Sequence, residues 1–126
     1  MALQTLQQRL SRIFGTQQLP EVNEETLSTY REHLQRSLEH PCFLFLAHED
    51  GASFEALQLQ GLAEEFDQDL GLLALVKRLS DQKEFSVPLA QMECPYDDRT
   101  NHRLVDDYCQ WFVRATFSLS CRGTNA

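Results

Sequence analysis

Several signatures of catalysis and of nucleic-acid binding are missing from this chain. Its five glycines are scattered over 126 residues, whereas a phosphate-binding loop needs several close together for backbone amides to approach the anion. There is no Gly-x-Ser-x-Gly elbow, and no Cys/His pairing is implied by local sequence, so nucleophilic catalysis has no visible support and the chain is read as a non-enzyme. Basic residues are few: 11 Lys and Arg stand against 19 Asp and Glu, a formal charge of −8. That balance disfavours nucleic acid and anionic membranes, where phosphates reward clusters of Lys and Arg. No apolar run approaches the roughly 18 residues of a membrane span. The N-terminus, Met1-Ala-Leu-Gln-Thr-Leu-Gln-Gln8, lacks the apolar core of a signal peptide, so a cytoplasmic location is expected. The four cysteines, Cys42, Cys94, Cys109 and Cys121, contain no Cys-x-x-Cys. In a reducing compartment they read as small buried hydrophobes or free thiols. His40-x-Cys42 has no second half at zinc-ligand spacing.

What is present is enough apolar material for a folded domain, 42% of residues with 10% aromatics. Leu3, Leu6, Leu10, Ile13 and Phe14 repeat at helical spacing and end at Gly15, predicting a first amphipathic helix. Asn23 is a suitable cap for a second, with Glu24 and Glu25 in its first turn, Leu27, Tyr30, Leu34 and Leu38 as its apolar stripe, and His40-Pro41 as its stop. From Cys42 the pattern changes to strands: Cys42–His48, Phe54–Leu62, Leu72–Leu79 and Phe85–Leu89, with Pro88 marking an edge or an end. A segment near Met92–Pro95 is a candidate fifth strand. Asn101 is read as the N-cap of a last helix, on which Leu104, Val105, Tyr108, Trp111 and Phe112 share a stripe bordered by Asp106 and Asp107. Asp107 has Arg103 one turn earlier as its local partner.

Strands joined by short turns, with helices before and after, indicate α+β. The expected architecture is a small SH3-like or Sm-like antiparallel β-barrel of four or five strands, flanked by N-terminal helices and one C-terminal helix; a flat antiparallel sheet is the alternative. Residues 1–24 form an N-terminal helical extension, 25–115 the main domain and 116–126 a flexible tail. The apolar stripe of the first helix needs a cover, either the second helix or another copy of the chain, so a homodimer through this helix is one expectation.

Carboxylates are the remaining chemical signal. They gather at Glu49-Asp50 in a turn, at Glu64-Glu65-x-Asp67-x-Asp69 in an acidic loop closed by Gly71, and at Asp97-Asp98. Calcium takes six to eight oxygen ligands and suits such turns. An EF-hand is excluded: were Asp67 its first ligand, the required glycine would fall on Leu72 and the closing glutamate on Arg78. Any calcium site must therefore be assembled from separate segments.

A set of motifs adds to this. Tyr30-Arg-Glu-His-Leu34, Leu38-x-x-Pro41-Cys-Phe43, Gly61-Leu62, the acidic loop ending in Gly71-Leu72-Leu73, Val87-Pro88-Leu89 and Asn101-x-x-Leu104-Val-Asp-Asp-Tyr108-x-x-Trp111-Phe112 together resemble the cyanobacterial-type calcium-binding protein family. The resemblance implies a small β-rich domain that binds calcium through surface carboxylates without an EF-hand. The residues expected to supply most of a metal site are Glu49, Asp50, Asp67 and Asp69, at two strand ends that a small barrel could bring together. Two features depart from the family: the wholly apolar Phe43–Ala47 and the N-terminal extension. They keep a second expectation in play, a non-catalytic protein-interaction module whose acidic surface meets a basic partner.

Overall fold

A computed structural model describes residues 5–16, 19–47, 54–67 and 69–124. The order is α1 (Leu6–Phe14), α2 (Glu24–Ser37), β1 (Phe43–Ala47), β2 (Phe54–Asp67), β3 (Gly71–Arg78), β4 (Glu84–Pro88), a 3-10 turn (Leu89–Gln91) and α3 (Arg99–Thr124). The strands form one antiparallel sheet in the order β1-β2-β3-β4, so the chain is α+β.

Local chemistry explains the first two helices. Thr5 and Gln8 close a reciprocal capping box at the start of α1, and Gly15 ends it in the left-handed conformation at φ 70°. Asn23 and Thr26 form the equivalent box on α2. The sheet packs one face on the helices through Leu44, Leu57, Leu59, Leu62, Leu72, Ala74, Val76 and Val87, all buried.

The closed barrel is not what forms. The sheet is open, and its nearest approach to closure is a single antiparallel bridge between Phe45 and Glu93. Phe45 N donates to Glu93 O at 2.7 Å and Glu93 N to Phe45 O at 3.2 Å, so the region read as a fifth strand does reach the free edge of β1, for one residue pair. A barrel needs hydrogen bonding to continue all the way round, and among the described residues β4 pairs only with β3. β2 is also longer than expected. It runs on through Glu64, Glu65 and Asp67, because register breaks at Leu59/Gly61 and Leu62/Phe66 absorb the residues that spoil its alternation.

α3 begins two residues before Asn101, and Asn101 has a different task from capping. It is 1% exposed. Its Oδ1 accepts from Glu39 N at 2.8 Å, while Nδ2 donates to Glu39 O at 2.7 Å and to Asp98 Oδ2 at 2.8 Å. One side chain thus ties the end of α2 to the start of α3. The capping acceptor is Asp98, whose Oδ1 faces Asn101 N at 3.4 Å. At the other end the helical backbone continues to Thr124, past residue 116, where the sequence pattern places the tail.

The stripe of α1 is covered by its own chain. Leu10 is 1% exposed, and Leu6, Ile13 and Phe14 pack against the same core; Leu3 lies outside the described residues. The Phe14 ring is 5.6 Å from that of Tyr30 and 5.2 Å from that of Trp111. The reason for expecting a homodimer through this helix is therefore removed. A bidentate ion pair completes the docking, with Arg9 Nε bonded to Asp107 Oδ2 at 2.5 Å and Arg9 Nη2 to Oδ1 at 2.9 Å. Asp107 thus pairs across 98 residues rather than with nearby Arg103. Its side chain is 7% exposed and that of Arg9 25%. Replacing Asp107 with Ala leaves a half-buried guanidinium without its main acceptor and should cost about 1–3 kcal/mol. An unchanged midpoint in urea unfolding would show that α1 docks by apolar contact alone.

Candidate functional site

The acidic end of the β2–β3 hairpin is built around Asp67. This residue pairs with Gly71 at the end of β2, and Gly71 adopts φ 77° to turn the chain. Asp67 Oδ1 accepts from Asp69 N at 2.7 Å and from Leu70 N at 3.0 Å. The carboxylate therefore organises its own turn, as short acidic side chains do. A carboxylate has about four lone-pair sites, so Oδ2 is left for water or a cation. Asp69, Glu64 and Glu65 are also exposed. On the other side of the bulge, Arg31 from α2 donates to Ala63 O at 2.8 Å and to Leu62 O at 3.3 Å. Two backbone oxygens of the bulge are thus held by a guanidinium.

Of the four expected ligands, two fall within the described residues. Asp67 and Asp69 are brought together in one turn. Glu49 and Asp50 lie outside the described residues; the residues that flank them, Ala47 and Phe54, are paired at the opposite end of β2. A straight strand rises about 3.3 Å per residue, so the length of β2 corresponds to roughly 40 Å before bulges shorten it. Among the described residues, no group of three or more His, Cys, Asp or Glu side chains stands ready to hold a metal.

The structure also assembles polar centres that the sequence did not reveal. Besides Arg9–Asp107, an ion pair joins Arg78 to Glu55 across β3 and β2. A third centre lies between the segment after β4 and α3, where Glu93, His102, Asp106 and Cys109 share a cavity with Cys94 and Tyr96. Its only local signal was the four-residue spacing of His102 and Asp106, which puts both on one helical face. Cys42, Cys94 and Cys109 are free thiols. Burial, reinforced by the negative charges of Asp106 and Glu93, pushes the Cys109 thiol up to about 12. It stays protonated at neutral pH, which makes it a poor nucleophile. The thiol of Cys94 is also raised, chiefly by its hydrogen bond with Cys42 and then by burial.

No family model, curated protein or solved structure matches this chain.

Proposed function

We propose that this chain is a non-catalytic acidic protein that binds calcium through surface carboxylates, as a buffer or regulator. In this reading the ion sits at the β2–β3 end, on Asp67 and Asp69, with Glu64 and Glu65 beside them. The observation that carries it is the turn at Asp67. Two backbone amides hold one oxygen of the carboxylate, so the other is offered to an ion with little side-chain freedom left to lose. The formal charge of −8 attracts cations to the surface, and the motif resemblance described above points to the same chemistry. This reading does not draw on Glu49 and Asp50, which lie outside the described residues. With few protein ligands and water completing the shell, affinity belongs in the weak range, roughly 10⁻⁴–10⁻³ M.

Calorimetric titration of calcium into chelator-treated protein tests this. Wild type should bind, and an Asp67→Asn, Asp69→Asn variant should bind at least tenfold more weakly, roughly the 1.4 kcal/mol that a factor of ten represents. Asn at position 67 keeps a side-chain oxygen for the two amides, so the turn survives while the charge is lost. Equal binding by both proteins rejects the site.

One observation favours the second reading, a protein-interaction module. On the sheet face turned away from the helices, Phe43 is 36% and Leu75 41% exposed, and between their strands Gly61 has open space where a side chain would stand. Exposed apolar side chains grouped on one sheet face can mark a partner surface. Light scattering of wild type against a Phe43→Lys, Leu75→Lys variant checks for self-association there. Monomers in both cases would exclude a second copy as the occupant.

A further inference from the structure

A cavity of about 420 Å³ opens between the segment after β4 and α3. Its lining divides by chemistry. Ala90, Met92 and Val105 give it an apolar floor, while Glu93, His102 and Asp106 give it a polar rim. Tyr96 stands at the rim as well, 82% exposed, with its ring centroid 4.5 Å from that of His102.

The rim is held in place from three directions. Glu93 is fixed by the two backbone hydrogen bonds of its bridge to Phe45. The carboxylate of Asp106 accepts from Gln110 Nε2 at 2.6 Å through Oδ2, which leaves Oδ1 for another donor. His102 Nδ1 lies 2.9 Å from Cys94 O. A carbonyl only accepts, so Nδ1 carries the proton, and in the neutral ring Nε2 is an acceptor. Two carboxylates from different segments thus border one cavity, and both act on the thiol of Cys109. An aromatic face and a hydrogen-bond acceptor stand beside them, and among the described residues no arginine or lysine lines the space.

We propose that this cavity binds a guanidinium carried on a short aliphatic stem. The stem lies on the apolar floor. The guanidinium sits between Glu93 and Asp106, where its planar fork matches a carboxylate bidentately. Its flat face lies against the Tyr96 ring, the arrangement that cation–π attraction favours, and one N–H donates to His102 Nε2. An anion would meet two carboxylates. A free small molecule and an arginine side chain of a peptide present the same chemistry to this cavity. None of the residues of the calcium reading takes part, so either idea can fail alone.

The test follows the His102 ring resonances of the full chain by NMR during three titrations: butylguanidinium, its neutral isostere butylurea, and the capped peptide acetyl-Gly-Arg-Gly-amide. A saturable shift with butylguanidinium and none with butylurea is expected. A Glu93→Gln, Asp106→Asn variant that keeps the wild-type unfolding midpoint should bind at least tenfold more weakly, and Tyr96→Ala several-fold more weakly. Tighter binding of the peptide than of butylguanidinium assigns the ligand to a polypeptide; the reverse assigns it to a free molecule. The proposal is overturned by no saturable shift with either cation, by equal binding of butylurea, or by undiminished binding when both the double variant and Tyr96→Ala are folded.

Discussion

Replacing Trp111 with alanine should remove about 3–5 kcal/mol of folding free energy, a large share of what a domain of this size possesses. The indole is fully buried and lies at the meeting point of all three helices. Its ring centroid is 5.2 Å from Phe14 on α1, 5.2 Å from Tyr30 on α2 and 5.9 Å from Tyr108 on α3. Its Nε1–H donates to Pro20 O at 3.0 Å, so truncation also deprives a connector carbonyl of its donor. The neighbours are rigid rings, two of them anchored in other helices, and they do not readily collapse into the space. In a thermal melt the loss should be roughly 10–20 °C, with Trp111→Phe intermediate because it keeps most of the volume. A melting temperature unchanged in Trp111→Ala would mean that this ring does not join the helices.

Gly71→Ala should have the next largest effect, for two independent reasons. At φ +77° an alanine would sit in the left-handed region, at about 1–2 kcal/mol. Its Cβ would also lie 2.6 Å from Phe112 Cε2 and press on the Tyr108 hydroxyl. That hydroxyl accepts from Leu72 N at 2.8 Å, so it cannot retreat without stranding a buried amide. Repacking a crowded core adds about 1–3 kcal/mol, for a total of roughly 2–5 kcal/mol. Gly61→Ala is the control: its Cβ would meet nothing within 4 Å, and the change should be nearly neutral. If the two variants had the same urea midpoint, the close packing of the hairpin end on α3 would be refuted.

Much of this architecture could be read from local patterns, because local physics decides it. The caps at Asn23 and Gly15 need only neighbouring amides. The stripe of Tyr108, Trp111 and Phe112 follows from helical periodicity, and all three are buried. The features that escaped depend on partners far along the chain. Asn101 has the chemistry of a cap, yet its amide bonds the backbone of Glu39, 62 residues away. Asp107 had Arg103 one turn away, yet Arg9 reaches it with a better fork. The C-terminal extent of α3 was hidden by its hydroxyl residues, which favour turns. Thr116 instead donates from Oγ1 to Phe112 O at 2.7 Å, within the helix and without ending it. Whether strands close into a barrel is settled at the last edge pairing, which strand patterns do not encode.

The candidate site was legible only in part. Asp67 and Asp69 are neighbours in sequence, so their shared turn could be anticipated. Grouping them with Glu49 and Asp50 rested on the expectation that two hairpin ends converge, and those two residues lie outside the described ones. Glu64 and Glu65 looked like loop charge because consecutive acidic residues break strand alternation. They are instead carried at a bulge within β2, where Arg31 holds the carbonyls of Leu62 and Ala63.

Calcium titration of uniformly ¹⁵N-labelled, chelator-treated protein, followed amide by amide, is the most direct measurement. The amides of Asp69 and Leu70 bond the Asp67 carboxylate and report any change in its charge. If calcium binds there, those two amides and that of Gly71 should shift saturably, with smaller shifts at Glu64 and Glu65 and none along α3. No saturable shift at Asp69 and Leu70, or shifts centred on Glu93 and Asp106 instead, would contradict calcium binding at the β2–β3 end.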